Sequence, residues 1–577
     1  MVASKLQVTA QKAFTTRKGF LSTIQTPETD RASEGEENGD KITSNPDLDP
    51  TPVEARKWGS FAFFMFEFSV AFAPTSYNVG ASLISIGLPY YAIIISAFIA
   101  SFMCSVVIYF NSRGASIYHV GFPVYVRMSA GIRGSLFFIG IRGVVAILYM
   151  ATQTYYASEL TVVCLRCIFG HKWTDIPNHL PKSAGITSSG LAAFMIFWII
   201  QLPFAWIHPS KVAPVFAAKS IVAPPVLIIT MIWALTKAGG PHWELFNSQN
   251  HLSHSAAGWA WLKAINSIVS GTLPPLINIP DLARYARRPE SIRPMTYGLF
   301  FSKPLITIIG ILTTAAGNKL FGQAYWNLWD LYGAVLDTYW GPGTRTLVFL
   351  ASLTQVYATM CTNISSNSIP VGCDLAGLFP RYFTIRRGQI LCSILALAIC
   401  PWKMVYSASS FLSFLGSYVC LITPIAACEI VDYWFVRRGN VHVPSLYKAS
   451  SASPYWYNNG WNPRAYGAWL CGVGIAISGI AGVLSPGSVP TMAVNLYNTS
   501  FILSGATSAV AYFIFNKIWP VKIYPDGPHA NEESSFEFMR KSEGYFDDEE
   551  VIGEAVLVGS EIGNIEGTGE GVGLEKV

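Results

Sequence analysis

Charge is what this chain has least of. Only 13% of its 577 residues are Asp, Glu, Lys or Arg, against about 25% in soluble domains. With 51% hydrophobic residues, there is too little polar surface to cover a soluble core, whereas a bilayer tolerates that balance. The net charge of +5 is small and dispersed, which removes the case for a nucleic-acid partner. The ten cysteines are scattered, mostly inside apolar runs, and read as reduced, buried small hydrophobes. Cys164 and Cys167 make a lone C-x-x-C without the second pair that a zinc site needs. Whether they pair is left open by spacing alone. No nucleophile-plus-base cluster or metal-ligand pattern sits at one depth, so an enzyme, a metal and a cofactor are not expected. No repeated filter motif suggests a channel. The first long apolar run begins near Trp58 without a small-residue cleavage site, so it reads as a retained span rather than a removable leader.

What is present is apolar length. About twelve candidate spans meet the ~20-residue criterion, near 58–86, 90–111, 134–163, 190–207, 213–236, 258–280, 296–317, 345–369, 388–401, 407–436, 464–485 and 497–518. Aromatic residues reach 14%, and many fall near span ends, as interfacial belts do. Residues 1–56 and 519–577 are polar and read as tails, the second carrying the acidic run Asp547-Asp-Glu-Glu550. Residues 57–518 form the span-rich domain between them. Arg113, Arg127, Arg133, Arg284, Arg287, Arg288, Arg381, Arg386, Arg387, Arg437 and Arg438 all follow even-numbered spans. The positive-inside rule then places both termini in the cytosol.

The interruptions carry more than the count. The first span contains Ala73-Pro-Thr-Ser-Tyr-Asn-Val-Gly80 and the sixth Ser270-Gly-Thr-Leu-Pro-Pro275. Pro and Gly free backbone groups that need partners inside a membrane, and paired broken spans five helices apart are a mark of inverted-repeat transporters. The eighth span ends in Ala358-Thr-Met-Cys-Thr-Asn-Ile-Ser-Ser-Asn-Ser368. Carboxamides in hydrocarbon cost several kcal/mol unless hydrogen-bonded, so Asn363 and Asn367 should face a cavity, a partner helix or a solute.

Longer motifs give a resemblance. Asn45-Pro-Asp-Leu-Asp-Pro50 precedes the first span, and His119-Val-Gly-Phe-Pro-Val-Tyr-Val-Arg127 follows the second. Gln153-Thr-Tyr-Tyr156 lies in the third and Asn278-Ile-Pro-Asp-Leu-Ala-Arg-Tyr285 closes the sixth. Asp374-Leu-Ala-Gly-Leu-Phe-Pro-Arg381 follows the eighth, and Asp432-Tyr-Trp-Phe-Val-Arg-Arg-Gly439 closes the tenth. Together they resemble the nucleobase:cation symporter-1 family, in its fungal uracil/allantoin/thiamine permease branch. The resemblance implies an all-α membrane fold of about twelve helices with a LeuT-like five-plus-five inverted repeat, helices one and six being broken. It also implies alternating access in the plasma membrane, with a proton as the coupling ion more readily than sodium.

By the same resemblance, Tyr149 would stack on a planar heterocycle and Gln153, one helical turn on, would bond its edge. Asn367 would supply the amide of the eighth span with Asn363 beside it, Asn78 would match a polar residue near the first break, with unwound backbone at Pro74–Asn78, and Leu273 would stand where relatives carry an aromatic. Ala358, Cys361 and Thr362 match the cation site of sodium-coupled relatives, but Cys361 offers sulfur where a hard cation wants oxygen. Proton coupling then needs a titratable group, and Glu67, Glu159 and Glu429 are the candidates. The expected activity is import of a small planar nitrogen heterocycle such as uracil, allantoin or uridine. The alternatives are a thiamine or nicotinamide riboside-type vitamin carrier, or a non-transporting nutrient receptor. Lys5, Lys12, Lys18 and Lys41 offer ubiquitin acceptors, and the acidic tail a dock for a ligase adaptor.

Overall fold

A backbone in hydrocarbon must satisfy its own hydrogen bonds, which leaves helices as the economical answer for long apolar runs. The computed structural model describes residues 25–26, 43–242, 253–403, 416, 418–485, 487–523 and 536–537. Among them the only β pairing is two isolated bridges, Trp58 with Ala286 and Asn458 with Trp461. Among the described residues, nine helical segments are long and apolar enough to cross a membrane. The expected spans at 58–86, 258–280 and 388–401 fall instead on broken or shorter helices. The first is α1 (Ser60–Ala71) and α2 (Pro74–Ser82).

The helices that follow are α3 (Tyr90–Tyr118), α4 (Ser135–Phe169), α5 (Ser188–Gln201) and α6 (Ala213–Ala238). The sixth expected span is α7 (His254–Ser270) and α8 (Leu273–Asn278). After α9 (Arg293–Phe321) comes a short amphipathic helix, α10 (Leu328–Thr338). The eighth expected span is longer than 345–369: α11 (Pro342–Asn363) runs through a π-helical turn at Ile364–Ser368 into α12 (Ile369–Leu378). Then come α13 (Ile385–Ala398), α14 (Val419–Val431), α15 (Pro463–Leu484) and α16 (Ser500–Ile518).

The first break is shorter and earlier than the sequence suggested. Phe72 and Ala73 leave the helix, Ala73 extended at φ −129°, and helix resumes at Pro74. Proline is pre-shaped for the first position of a helix, so Pro74 starts α2 rather than unwinding it, and residues 74–78 are helical. The second break is Gly271-Thr272, and Pro274 and Pro275 again lie in the first turn of the returning helix.

Packing sorts the helices into groups. One joins α1, α2, α3, α7 and α9; another joins α4, α5, α11, α12 and α13. Helices α14, α15 and α16 form a third, and α6 touches α1, α9 and α11. Small residues set the closest approaches. A Cβ on Gly298 would lie 2.8 Å from the Phe64 carbonyl oxygen, and one on Gly310 2.9 Å from that of Tyr77. Helix α9 thereby rides directly on both halves of the first span.

Residues 43–58, mostly assigned to the N-terminal tail by composition, pack as a strap across one end of the bundle. Asn45 Nδ2 donates to the Pro380 and Phe383 carbonyls, and Asp47 Oδ2 accepts from Ile385 N at 2.7 Å. Arg284 donates to Thr51 Oγ1 at 2.6 Å and the Asp47 carbonyl at 2.7 Å. The strap thus ties the loop after α8 to the loop after α12. Lys5, Lys12, Lys18, Lys41 and Asp547–Glu550 lie outside the described residues. All ten cysteines are free thiols, Cys164 and Cys167 included.

Candidate functional site

Both breaks, α4 and the π turn meet at one cavity. Its walls are Ala73, Thr75 and Ser76 at the first break, Tyr149 and Gln153 on α4, Gly271 and Pro274 at the second break, and Thr362, Ser366 and Asn367 around the π turn. The helical rise and 3.6-residue repeat put Tyr149 and Gln153 on one face, a turn apart. An extra residue in a turn reaims the side chains that follow it, and such π turns recur at functional sites. Here the turn points Ser366 and Asn367 inward.

Four buried polar atoms on these walls, Gln153 Oε1, Asn367 Oδ1, Ser366 Oγ and Thr75 Oγ1, find no hydrogen-bond partner among the described residues. Each such orphan costs about 1–3 kcal/mol. Four around one cavity mark a surface built for something else to bond. The open space is 20 Å³ for a water's centre, about one water, so a heterocycle fits only once the walls part.

The other expected binding residues take different places. Asn363 does not line the cavity. Its amide nitrogen reaches Gln201 Oε1 (2.8 Å), Thr154 Oγ1 (3.1 Å) and the Met150 carbonyl (3.2 Å), while its oxygen accepts from Asn367 Nδ2 at 2.9 Å. It orients Asn367 and ties α11 to α4 and α5. Asn78 is also off the cavity: it donates to Asn327 Oδ1 at 3.1 Å, and Asn327 Nδ2 donates to Asp330 at 3.0 Å on α10. Because α2 is helical there, Asn78 is turned toward that end of the bundle. Leu273 lines a second, smaller cavity with Arg142, Tyr149, Asn278 and Tyr418. Tyr149 and Pro274 are common to both cavities. The Tyr149 hydroxyl contacts that of Tyr418, the rings meeting edge to face at 4.9 Å.

At the strap side of the second cavity, Arg142 is 2% exposed. It pairs with Asp281 at 2.8 Å and with Asp374 through Nε at 3.0 Å and Nη2, and its guanidinium lies 3.7 Å from the centre of the Phe122 ring. Glu429 is fully buried within electrostatic range of Arg142, Asp281 and Asp432. Glu159 lies near Tyr155 and Asp330, toward α10.

The residues matched to a cation site already hold a cation of the protein's own. Thr362 Oγ1 accepts from Lys219 Nζ at 2.6 Å and donates to the Ala358 carbonyl at 3.0 Å. Cys361 and Glu67 lie within electrostatic range of the same ammonium. Lys303 donates to Ser76 Oγ at 3.0 Å, and Glu67, fully buried, faces both lysines electrostatically. Sequence reasoning singled out neither lysine, yet each is a lone ammonium within an apolar run, and that alone nominates a functional residue. No group of three or more His, Cys, Asp or Glu suits a metal among the described residues.

Helices broken at matched depths around a polar cavity, with apolar flanks, define a multi-pass membrane transporter. The family model for permeases for cytosine/purines, uracil, thiamine and allantoin matches residues 50–504, and the chain belongs to that family, the nucleobase:cation symporter-1 family. It is 33% identical over 500 residues to the allantoin permease of Saccharomyces cerevisiae, covering 85% of this chain and 78% of that one. It is also 33% identical to the uracil permease of the same yeast over 490 residues, 84% of this chain and 77% of that one. The fold is similar to that of Mhp1, a nucleobase-cation-symport-1 family transporter in a closed conformation with bromovinylhydantoin bound. The TM-score is 0.63 at 20% identity, covering 86% of this chain and 99% of that one. Its relatives are permeases, and the protein is not an enzyme.

Proposed function

We propose that the protein is a proton-coupled secondary transporter of the plasma membrane that imports a small planar nitrogen heterocycle of the uracil or allantoin kind by alternating access. The observation that carries this reading is the convergence of Gln153, Asn367, Ser366 and Thr75 on one cavity with their polar atoms unmet. Ring nitrogens and carbonyls supply the missing partners, and the Tyr149 ring supplies a face to stack on, worth about 1–3 kcal/mol. A site with buried polar groups at both edges rejects rings that leave them unpaired.

Coupling runs through Glu67, Lys219 and Lys303. With all three groups ionised the cluster would carry one net positive charge inside the membrane, and release of one proton would make it neutral. Lys219 ties that charge to Thr362, a wall residue of the solute cavity, so protonation and solute occupancy favour the same arrangement of α6 against α11. A difference in affinity between states is what coupling requires. The five-plus-five repeat supplies the two states, the α1–α3–α7–α9 group rocking against the α4–α11 group. The basic loops support a cytosolic strap end and cytosolic termini, with the tail lysines serving regulated removal from the membrane.

The test is uptake of labelled uracil, allantoin and thiamine by cells lacking their own permeases, at two pH values, with and without sodium. Faster uptake at acid pH, indifferent to sodium and competed by planar heterocycles, is expected. Sodium-dependent uptake indifferent to pH overturns the coupling, and absence of uptake for every heterocycle overturns the cargo.

A further inference from the structure

Another, more open cavity is larger than the solute site. It has 450 Å³ of space and lies between α6, α10 and α11, within the size range of small-molecule sites. Its flanks are apolar and outward-facing: Ile229 is 63% and Leu347 69% exposed. In a chain that spans a bilayer, such faces meet lipid.

Its length and polarity are graded. From Val226 to Lys237, twelve residues of α6 rise about 16 Å, half of a hydrocarbon core about 30 Å thick. The hydroxyls of the floor are already engaged: Thr230 donates to the Val226 carbonyl at 2.9 Å and shares a 3.1 Å contact with the Tyr332 hydroxyl. The mouth is different. Lys237 stands 5.8 Å from the Tyr339 ring centre, and Trp233 meets the same ring edge to face at 5.9 Å. Aromatics beside a lysine are the signature of the headgroup level.

We infer that this groove is a binding site for one glycerophospholipid, with an acyl chain along α6 and the phosphate at Lys237. The apolar floor selects a hydrocarbon tail, and the ammonium selects the anionic phosphate that every glycerophospholipid carries and a sterol lacks. The lipid has a mechanical consequence. Helix α10 forms the inner wall, and its Asp330 holds Asn327, which bonds Asn78 of α2. A tail behind α10 braces it toward the first span.

The test is thermal unfolding of the detergent-purified full chain titrated with phosphatidylcholine, alongside Val335→Trp, which fills the groove from α10, and Lys237→Gln at its exposed mouth. Phosphatidylcholine should raise the wild-type melting temperature saturably. Val335→Trp should abolish the increment, and Lys237→Gln should move its midpoint to roughly fivefold higher lipid. Should Val335→Trp fail to fold, the Lys237→Gln midpoint decides alone. An unchanged increment in Val335→Trp, an unmoved midpoint in Lys237→Gln, or an increment given by ergosterol and not by phosphatidylcholine overturns the assignment.

Discussion

Truncating Asn367 isolates the chemistry of the solute cavity. Its nitrogen is engaged by Asn363 at 2.9 Å, which fixes its orientation, and its oxygen is an orphan aimed at the cavity. In Asn367→Ala the protein no longer carries that orphan, but a bound heterocycle is left with a buried N–H facing a methyl group. That penalty is about 1–3 kcal/mol, so a mid-value near 2 kcal/mol predicts a roughly 30-fold weaker solute affinity. The loss should appear in KM and in counterflow exchange, with protein at the cell surface unchanged. Gln153→Ala should cost a similar amount, and the double variant should sum to within about 0.5 kcal/mol if the two amides hold separate edges of the ring. Asn363→Ala should behave differently, weakening binding and also lowering the melting temperature, because it unties α11 from α4 and α5. An Asn367→Ala protein that reaches the surface and transports with wild-type KM refutes the site.

Three further outcomes follow from named contacts. Lys219→Met should remove the pH dependence of uptake and its concentrative power, while exchange of labelled for unlabelled solute across the membrane continues; retained pH dependence moves the coupling elsewhere. Arg142→Ala leaves Asp281 and Asp374 buried without their cation and should cost about 3–5 kcal/mol of stability, read as lost thermal stability in detergent and recovered in part by adding Asp281→Asn and Asp374→Asn. His119, just beyond α3, is pushed down to about 3 by burial, with Arg56 and Arg284 adding to the effect against the hydrogen bond it donates to the Arg284 carbonyl. Since an unfolded histidine titrates near 6.5, only the unfolded chain takes up this proton between those values. Stability is therefore complete above about pH 6.5 and falls by about 1.4 kcal/mol per unit below it; melting curves from pH 7.5 to 5 should show that slope reduced in His119→Gln, and parallel profiles count against it.

Which residues meet at the cavity was partly legible in the sequence, for physical reasons that differ from residue to residue. Tyr149 and Gln153 were nominated by the family resemblance, and their four-residue spacing adds that they share one helix face. Asn367 was readable because a carboxamide at membrane depth needs a partner. Asn363 stood out by the same rule, but its partners are protein: Gln201 and Thr154 come from distant sequence, and spacing says nothing of them. Asn78 was misplaced by the reading of proline. A proline between apolar residues ends one helix, but in the first turn it also starts another, and the phase of α2 turns Asn78 to Asn327 rather than to the cavity. The lysines show the opposite failure. Lys219 and Lys303 were visible as isolated charges in apolar runs, and only the fold shows that Lys219 bonds Thr362, one of the residues matched to a cation site. The π turn has no sequence signature, although it aims half the polar wall.

The ion contacts around Arg142 are asymmetric in a way that bears on how the cavity opens. Arg142 and Asp374 belong to helices of the α4–α11–α12 group, whereas Asp281 follows α8, in the group of the two broken spans. The proposed motion of one group against the other would leave Arg142–Asp374 intact and break Arg142–Asp281. The strap repeats this arrangement farther out, since Asp47 and Asn45 hold the loop after α12 while the Asp47 and Thr51 region is held by Arg284 after α8. Between these ties and the solute stands the Tyr149–Tyr418 contact, on the wall shared by the two cavities. Opening toward the strap thus requires separating two tyrosines, one buried ion pair and a set of strap hydrogen bonds together. A solute that merely fits cannot drive that change; one that also satisfies Gln153, Asn367, Ser366 and Thr75 recovers the energy of four orphaned polar atoms, and that recovered energy is available to shift the balance between states.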